Sequence, residues 1–174
     1  MAEPFAEVEQ LFRAQQAQGS FPGGQLVVRR DGRVLCDIAV GRAREARDGK
    51  GEVAVTPDTR FQVMSASKPL VGFAIALLDD SGQIDVSQPV ARYFPEFGRD
   101  GKGDVSVLDV LTHRSGIVFE ELGNHPEWWR DWDQVVRALA EARPRYARGT
   151  LAYSPAGFGW LLAASFRCVR IRGS

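Results

Sequence analysis

The segment from Leu70 to Leu78 constrains this chain most. Leu70, Val71, Phe73, Ile75, Leu77 and Leu78 place apolar side chains on nearly every side of a helix, the pattern of one sunk in a protein's centre. Pro69 fits the first turn, because the first four N–H groups of a helix have no intrahelical acceptor, and Gly82 is a natural stop. Just ahead stands Ser65-Ala66-Ser67-Lys68. Residues three apart share a helix face, so Ser65 and Lys68 can meet, whereas Ser67 projects ~100° away from its neighbour Lys68.

That spacing carries chemistry. A serine hydroxyl is a poor nucleophile until a base takes its proton, and a free lysine with a pKa of ~10.4 is mostly protonated at neutral pH. Burial and the positive end of a helix dipole both disfavour the ammonium, so Lys68 is expected to be a buried, pre-tuned base. The Ser65 N–H at the helix start is expected to form half of an oxyanion hole. On its own, Ser-x-x-Lys more commonly marks a helix cap followed by a solvated lysine. Here a β-rich segment precedes it and an apolar helix follows, the setting of a buried nucleophile.

Elsewhere the pattern is mixed. Ala6, Val8, Leu11 and Phe12 predict an amphipathic N-terminal helix ending before Gly19. Gln25 to Arg29 and Arg33 to Val40 predict an antiparallel hairpin turning at Asp31-Gly32, with Val34, Cys36, Ile38 and Val40 on one face and Cys36 a small core residue. Gly41 to Pro57 reads as an exposed connection. Ser106 to Asp109 has the form of a capping box, and Trp132, Val135, Val136 and Leu139 mark another amphipathic helix. Ser154-Pro155 reads as the cap and first residue of the last helix, and nothing in the sequence says what compensates Asp79 and Asp80 at the negative end of theirs.

Composition narrows the functions. Lysine plus arginine and aspartate plus glutamate each number 22, so no broad field favours nucleic acid or an anionic membrane. Cys36 and Cys168 lie in no metal-ligand spacing, and neither a disulfide framework nor a metal site is expected. No segment reaches the ~20 apolar residues of a membrane span. The opening residues lack a secretory pattern, so the expected location is cytoplasmic.

The run Thr59 to Lys68 resembles the nucleophile segment of the penicillin-recognising serine hydrolases, the group of class C β-lactamases, DD-peptidases and family VIII esterases. Three further stretches resemble that group in the same order: Pro22 to Val28 with Asp31-Gly32, Leu108 to Gly116 with its Leu-Thr-His-x-Ser-Gly signature, and Gly149 to Leu162 around Tyr153-Ser154. The resemblance implies an α+β fold of β-lactamase/transpeptidase type: an N-terminal helix and antiparallel hairpin, plus a helical region carrying the Ser-x-x-Lys helix. It implies acylation of Ser65 by small ester, amide or lactam substrates without a cofactor. Tyr153 stands at the position of the family's catalytic tyrosine, exchanging a proton with Ser65 or the leaving group, and either it or Lys68 is the base. The same resemblance gives His113 a structural role at the turn around Ser115-Gly116 rather than a place in a Ser-His-Asp triad.

Two departures bear on activity. Pro155 replaces the family's usual asparagine and its amide donor, which favours an esterase-like hydrolase over a true β-lactamase. After Ala164 the chain lacks the family's later Lys-Thr-Gly or His-x-Gly strand, although Val169 and Ile171 alternate as in a strand. Residues 1–174 are therefore read as one apparently truncated domain with its C-terminal sheet strands missing. The competing reading is a degenerate homologue acting as a binding module, with self-association through unpaired strands. Trp128, Trp129 and Trp132 are read as core ahead of an acyl pocket, and His125 as a loop or helix-entry residue.

Overall fold

The computed structural model describes residues 5–167, which divide into one unit ending at Gln62 and another beginning at Val63. Cys168 and the alternating Val169 and Ile171 lie outside the described residues.

In the first unit the helix α1 (Ala6–Ala17) ends ahead of Gly19, whose φ of +80° is glycine's natural territory. Strands β1 (Gly23–Arg30) and β2 (Arg33–Arg44) pair antiparallel from Gly23 opposite Gly41 to Arg30 opposite Arg33. Asp31 and Gly32 join them with φ of +50° and +76°, the two positive values that a two-residue hairpin turn requires. Cys36, Ile38 and Val40 form the buried face, with Phe12, Phe21, Leu26 and Val28 against them, and Cys36 is a core residue as expected.

Two expectations fail here. Val34 is 47% exposed, because the register shifts between Val28/Cys36 and Arg29/Val34. The extra residue on β2 at Leu35 is a bulge, and it ends the period-2 alternation. Gly41 to Pro57 is also more than a connection: β2 runs on to Arg44 and pairs with a third strand, β3 (Val53–Ala54), giving a sheet of order β1-β2-β3. A two-residue strand opposite arginines has no apolar alternation to announce it.

The second unit is helical around its own core. The helices are α2 (Lys68–Asp80), α3 (Val107–Leu111), α4 (Glu120–Asn124), α5 (Trp132–Glu141) and α6 (Gly157–Phe166). Val90, Phe97, Val107, Ile117, Leu139 and Leu161 are among its most deeply buried side chains. The capping box closes α3 as expected: Ser106 Oγ accepts from the Asp109 N–H at 3.0 Å, and Asp109 Oδ2 accepts from the Ser106 N–H at 2.9 Å. Asp131 caps α5 by accepting from the Gln134 N–H. Asp79 is compensated by the Val86 N–H, which donates to its Oδ1 at 3.0 Å and ties the following loop back to α2.

The expected burial of α2 is not what forms. Ile75 is its one fully buried residue, at 4% exposed, while Leu70, Phe73 and Leu77 are 70%, 65% and 55% exposed. Apolar residues on every face give a helix the capacity to be buried all round, but burial needs covering elements, and in this chain the core covers one side. Among the described residues no helix is long and apolar enough to cross a membrane.

Candidate active site

Ser65 sits in a 3₁₀ turn, Met64–Ser67, that runs directly into α2 at Lys68. A 3₁₀ turn has three residues per turn, so side chains at i and i+3 eclipse and Ser65 and Lys68 project together. Ser67 is engaged elsewhere: its hydroxyl donates to the Met64 carbonyl at 2.7 Å. The Lys68 ammonium donates to Ser65 Oγ at 3.2 Å and to the Pro155 carbonyl at 2.9 Å, and it lies 5.1 Å from the centre of the Tyr153 ring. The Tyr153 hydroxyl donates to Ser65 Oγ at 2.7 Å. The three side chains singled out in the sequence thus converge on one oxygen.

Tyr153 arrives from 88 residues away because its segment is laced to the Leu108–Gly116 signature. Arg148 Nε donates to Asp109 Oδ2 at 2.7 Å, the Gly149 N–H donates to the Arg114 carbonyl, and the Ala152 N–H donates to the His113 carbonyl at 2.8 Å. Burial pushes the Asp109 carboxyl up, but the Ser106 N–H and hydroxyl and the Arg148 guanidinium together outweigh it and hold the group below the usual carboxylate range. Gly116, with φ of +77°, is required where it stands, since a Cβ there would meet the Tyr146 carbonyl oxygen at 2.3 Å.

The electrostatics follow from these contacts. The hydrogen bond to Ser65, then the interactions with Lys68, hold the Tyr153 phenol below its ordinary pKa. Burial, then the Lys68 charge, holds the His113 imidazole below its own. Lys68 is half-buried rather than enclosed, so the deep burial expected of it is not present; the open face of α2 leaves it partly in contact with solvent. Three residues beside the site take left-handed backbone conformations, Met64 at φ +47°, His113 at +56° and Phe119 at +54°. Such conformations cost of order ~1–3 kcal/mol in non-glycine residues and collect at functional sites.

The last helix departs from expectation. It begins at Gly157, not at Pro155, and Ser154 does not cap it. The Ser154 N–H donates to His113 Nδ1 at 3.3 Å, its hydroxyl reaches the Val118 carbonyl at 3.4 Å, and Pro155 turns its carbonyl to Lys68. Pro155 lacks a side-chain donor, but its backbone carbonyl is an acceptor for Lys68. Gly157 allows the Phe119 ring onto the start of α6, where a Cβ would lie 2.1 Å from that ring. A cleft of about 410 Å³ opens beside Tyr153, lined by Val118, Phe119, Asn124, Pro155 and Ala156, with Glu120 paired to Arg145 at its edge. His113 accepts from the Ser154 backbone N–H, and among the described residues the Ser65 hydroxyl is met by Lys68 and Tyr153, not by a histidine. Trp128 packs on the core and stacks on His125, which itself pairs with Glu127, and Trp132 packs against Trp160.

Comparison with known proteins bears on the family and the fold. The family model described as Beta-lactamase matches residues 8–167. The chain is 36% identical to "Esterase/beta-lactamase LipL" of Mycobacterium tuberculosis, over 97% of this chain and 38% of that protein. It superposes on a penicillin-binding protein homologue from Caulobacter crescentus with a TM-score of 0.82 at 32% identity, over 97% of this chain and 44% of that one. A family VIII carboxylesterase gives a TM-score of 0.80 at 28% identity, over 100% and 46%. The chain therefore spans less than half the length of these relatives, and its helices and three-stranded antiparallel sheet are part of a β-lactamase/transpeptidase-like fold. On the match across residues 8–167, carried by a fold and a residue order that agree with it, the chain belongs to the Beta-lactamase family.

Proposed function

We propose that this chain is a serine hydrolase in which Ser65 is acylated by an ester, amide or lactam, with Tyr153 as the base and Lys68 as its electrostatic partner. The observation that carries the reading is the meeting of Tyr153 and Lys68 on Ser65 Oγ at 2.7 and 3.2 Å. Tyr153 is favoured as base because its phenol is held below its ordinary pKa, and a neighbouring ammonium stabilises the phenolate. The Ser65 proton passes to the phenolate as Oγ bonds the carbonyl carbon, and the oxyanion collapses with loss of the leaving group. That group takes the proton back from Tyr153. Water then repeats the sequence on the acyl-enzyme and frees Ser65. The start of the turn supplies the Ser65 N–H to the oxyanion.

Esters are the favoured substrates. Pro155 presents a carbonyl to Lys68 and offers no side-chain donor to an amide on the acyl group. Mass spectrometry of the intact chain after a fluorophosphonate or a β-lactam tests the reading. We expect an adduct that Ser65→Ala abolishes; absence of any adduct on wild type refutes it. We also infer that copies associate, through the exposed Leu70, Phe73 and Leu77 of α2 as well as through sheet edges, because a stripe at i, i+3 and i+7 left open to water favours burial.

A further inference from the structure

His113 touches both sides of Tyr153. Its carbonyl accepts the Ala152 N–H at 2.8 Å, its ring Nδ1 accepts the Ser154 N–H at 3.3 Å, and its ring lies against Tyr153 with centroids 4.7 Å apart. The ring also meets Phe158 of α6 at 5.2 Å, and with Lys68, Pro69, Gly72 and Leu111 these two rings line a cavity of about 370 Å³. The left-handed backbone at His113, φ +56°, is what lets one residue turn its carbonyl and its ring to the same neighbouring segment. We propose that His113, as a neutral imidazole, is the positioning residue that clamps Tyr153 onto Ser65, and that protonation of this imidazole opens the clamp.

The chemistry follows from the bond to Ser154. A ring nitrogen can accept an N–H only through a lone pair, so the imidazole carries its proton on Nε2. A second proton at Nδ1 turns that acceptor into a donor facing another donor. It also places a cation in the cavity that Lys68 shares. Lys68 from α2 and Tyr153 from the segment before α6 are the titratable groups facing the ring; α3 contributes Leu111 and α6 contributes Phe158. Burial and Lys68 both favour the neutral ring, so the clamp is closed at neutral pH and opens as pH falls through the imidazole's lowered pKa.

The inference rests on Tyr153 acting on Ser65, and its test separates the two readings. Acylation of the 174-residue chain by a fluorophosphonate is followed across pH for wild type, His113→Ala and His113→Asn. Asparagine suits a left-handed backbone and keeps an acceptor near the Nδ1 position without titrating. We expect His113→Ala to slow acylation by roughly 10- to 100-fold, the scale of a small displacement of a catalytic group. His113→Asn should recover most of the rate and lose the acidic part of the profile that the imidazole contributes, leaving the limb set by the Tyr153 phenol. Equal rates and equal acidic limbs in all three proteins overturn the proposal. Long-range nitrogen–proton NMR of the imidazole reads the clamp without turnover. A proton on Nε2 at neutral pH, with Tyr153 ring resonances that shift in His113→Ala, supports it; a proton on Nδ1 overturns it. Absence of a wild-type adduct refutes the acylation reading alone, and the NMR result still decides this one.

Discussion

Replacing Tyr153 by phenylalanine removes one oxygen and little else. That oxygen lies 2.7 Å from Ser65 Oγ, while the ring that remains keeps its place against His113. General acid–base groups contribute about 10²- to 10⁴-fold. At ~1.36 kcal/mol per tenfold, this range corresponds to ~2.7–5.4 kcal/mol of transition-state stabilisation. The Lys68 ammonium stays 3.2 Å from Ser65 Oγ and still favours its developing negative charge, which argues for the lower part of the range. We expect Tyr153→Phe to slow single-turnover acylation by about 10²- to 10³-fold. The assay is stopped-flow release of p-nitrophenolate from an activated ester. This leaving group departs without protonation, so the measurement isolates Tyr153 as base; an alkyl ester, which also needs the proton returned, should suffer more. The phenol works as base only after losing its proton, and its pKa lies below its ordinary ~10, so the wild-type rate should rise with pH in that lower range and Tyr153→Phe should lose the limb. Tyr153 is half-exposed, so unfolding should move by no more than about 0.5 kcal/mol and a slow variant cannot be blamed on misfolding. Wild-type acylation and an unchanged pH limb in Tyr153→Phe, with loss of both in Lys68→Ala, would refute the assignment and make Lys68 the sole base.

Two further outcomes test the packing. Ile75→Ala should cost about 2–5 kcal/mol in urea unfolding, whereas Leu70→Ala on the same helix should stay within about 0.5 kcal/mol; equal costs would restore the all-round burial that the sequence suggests. Light scattering over a concentration series should show mass growing with concentration in wild type and less so in Phe73→Glu, and a constant monomer mass in wild type rules self-association out.

What the sequence discloses is mostly what its own neighbours settle. Asp31-Gly32 announces the hairpin turn because both positions need positive φ, and Ser106 to Asp109 announces the start of α3 because the two bonds of the box close within four residues. Ser65 and Lys68 are paired by spacing in the same way. Val34 is misplaced because a bulge is one extra residue, invisible to an alternation count, and β3 is missed because its partners are Arg42 and Arg44. The start of α6 is misread because Ser154 has better partners at a distance, His113 and Val118, than the helix that follows it. Tyr153 enters only through the family resemblance. Its approach to Ser65 depends on bonds between segments some forty residues apart, which no local pattern records.

The exposure of α2 is the misreading with the largest consequence for chemistry, because it sets the dielectric in which Lys68 and Tyr153 act. Two unit charges at ~4 Å interact by about 1 kcal/mol in bulk water and about 4 kcal/mol at the effective dielectric near ~20 of protein surroundings. An ammonium beside an open helix face therefore stabilises the phenolate less than an enclosed one would, and any element that covered Leu70, Phe73 and Leu77 would strengthen the coupling. On the proposed mechanism, the geometry around Ser65 is assembled by this chain itself, from the 3₁₀ turn, the Pro155 carbonyl and the bonds from His113. Exclusion of water is the separate contribution, and it acts on the strength of the Lys68–Tyr153 coupling without having to move a single donor or acceptor.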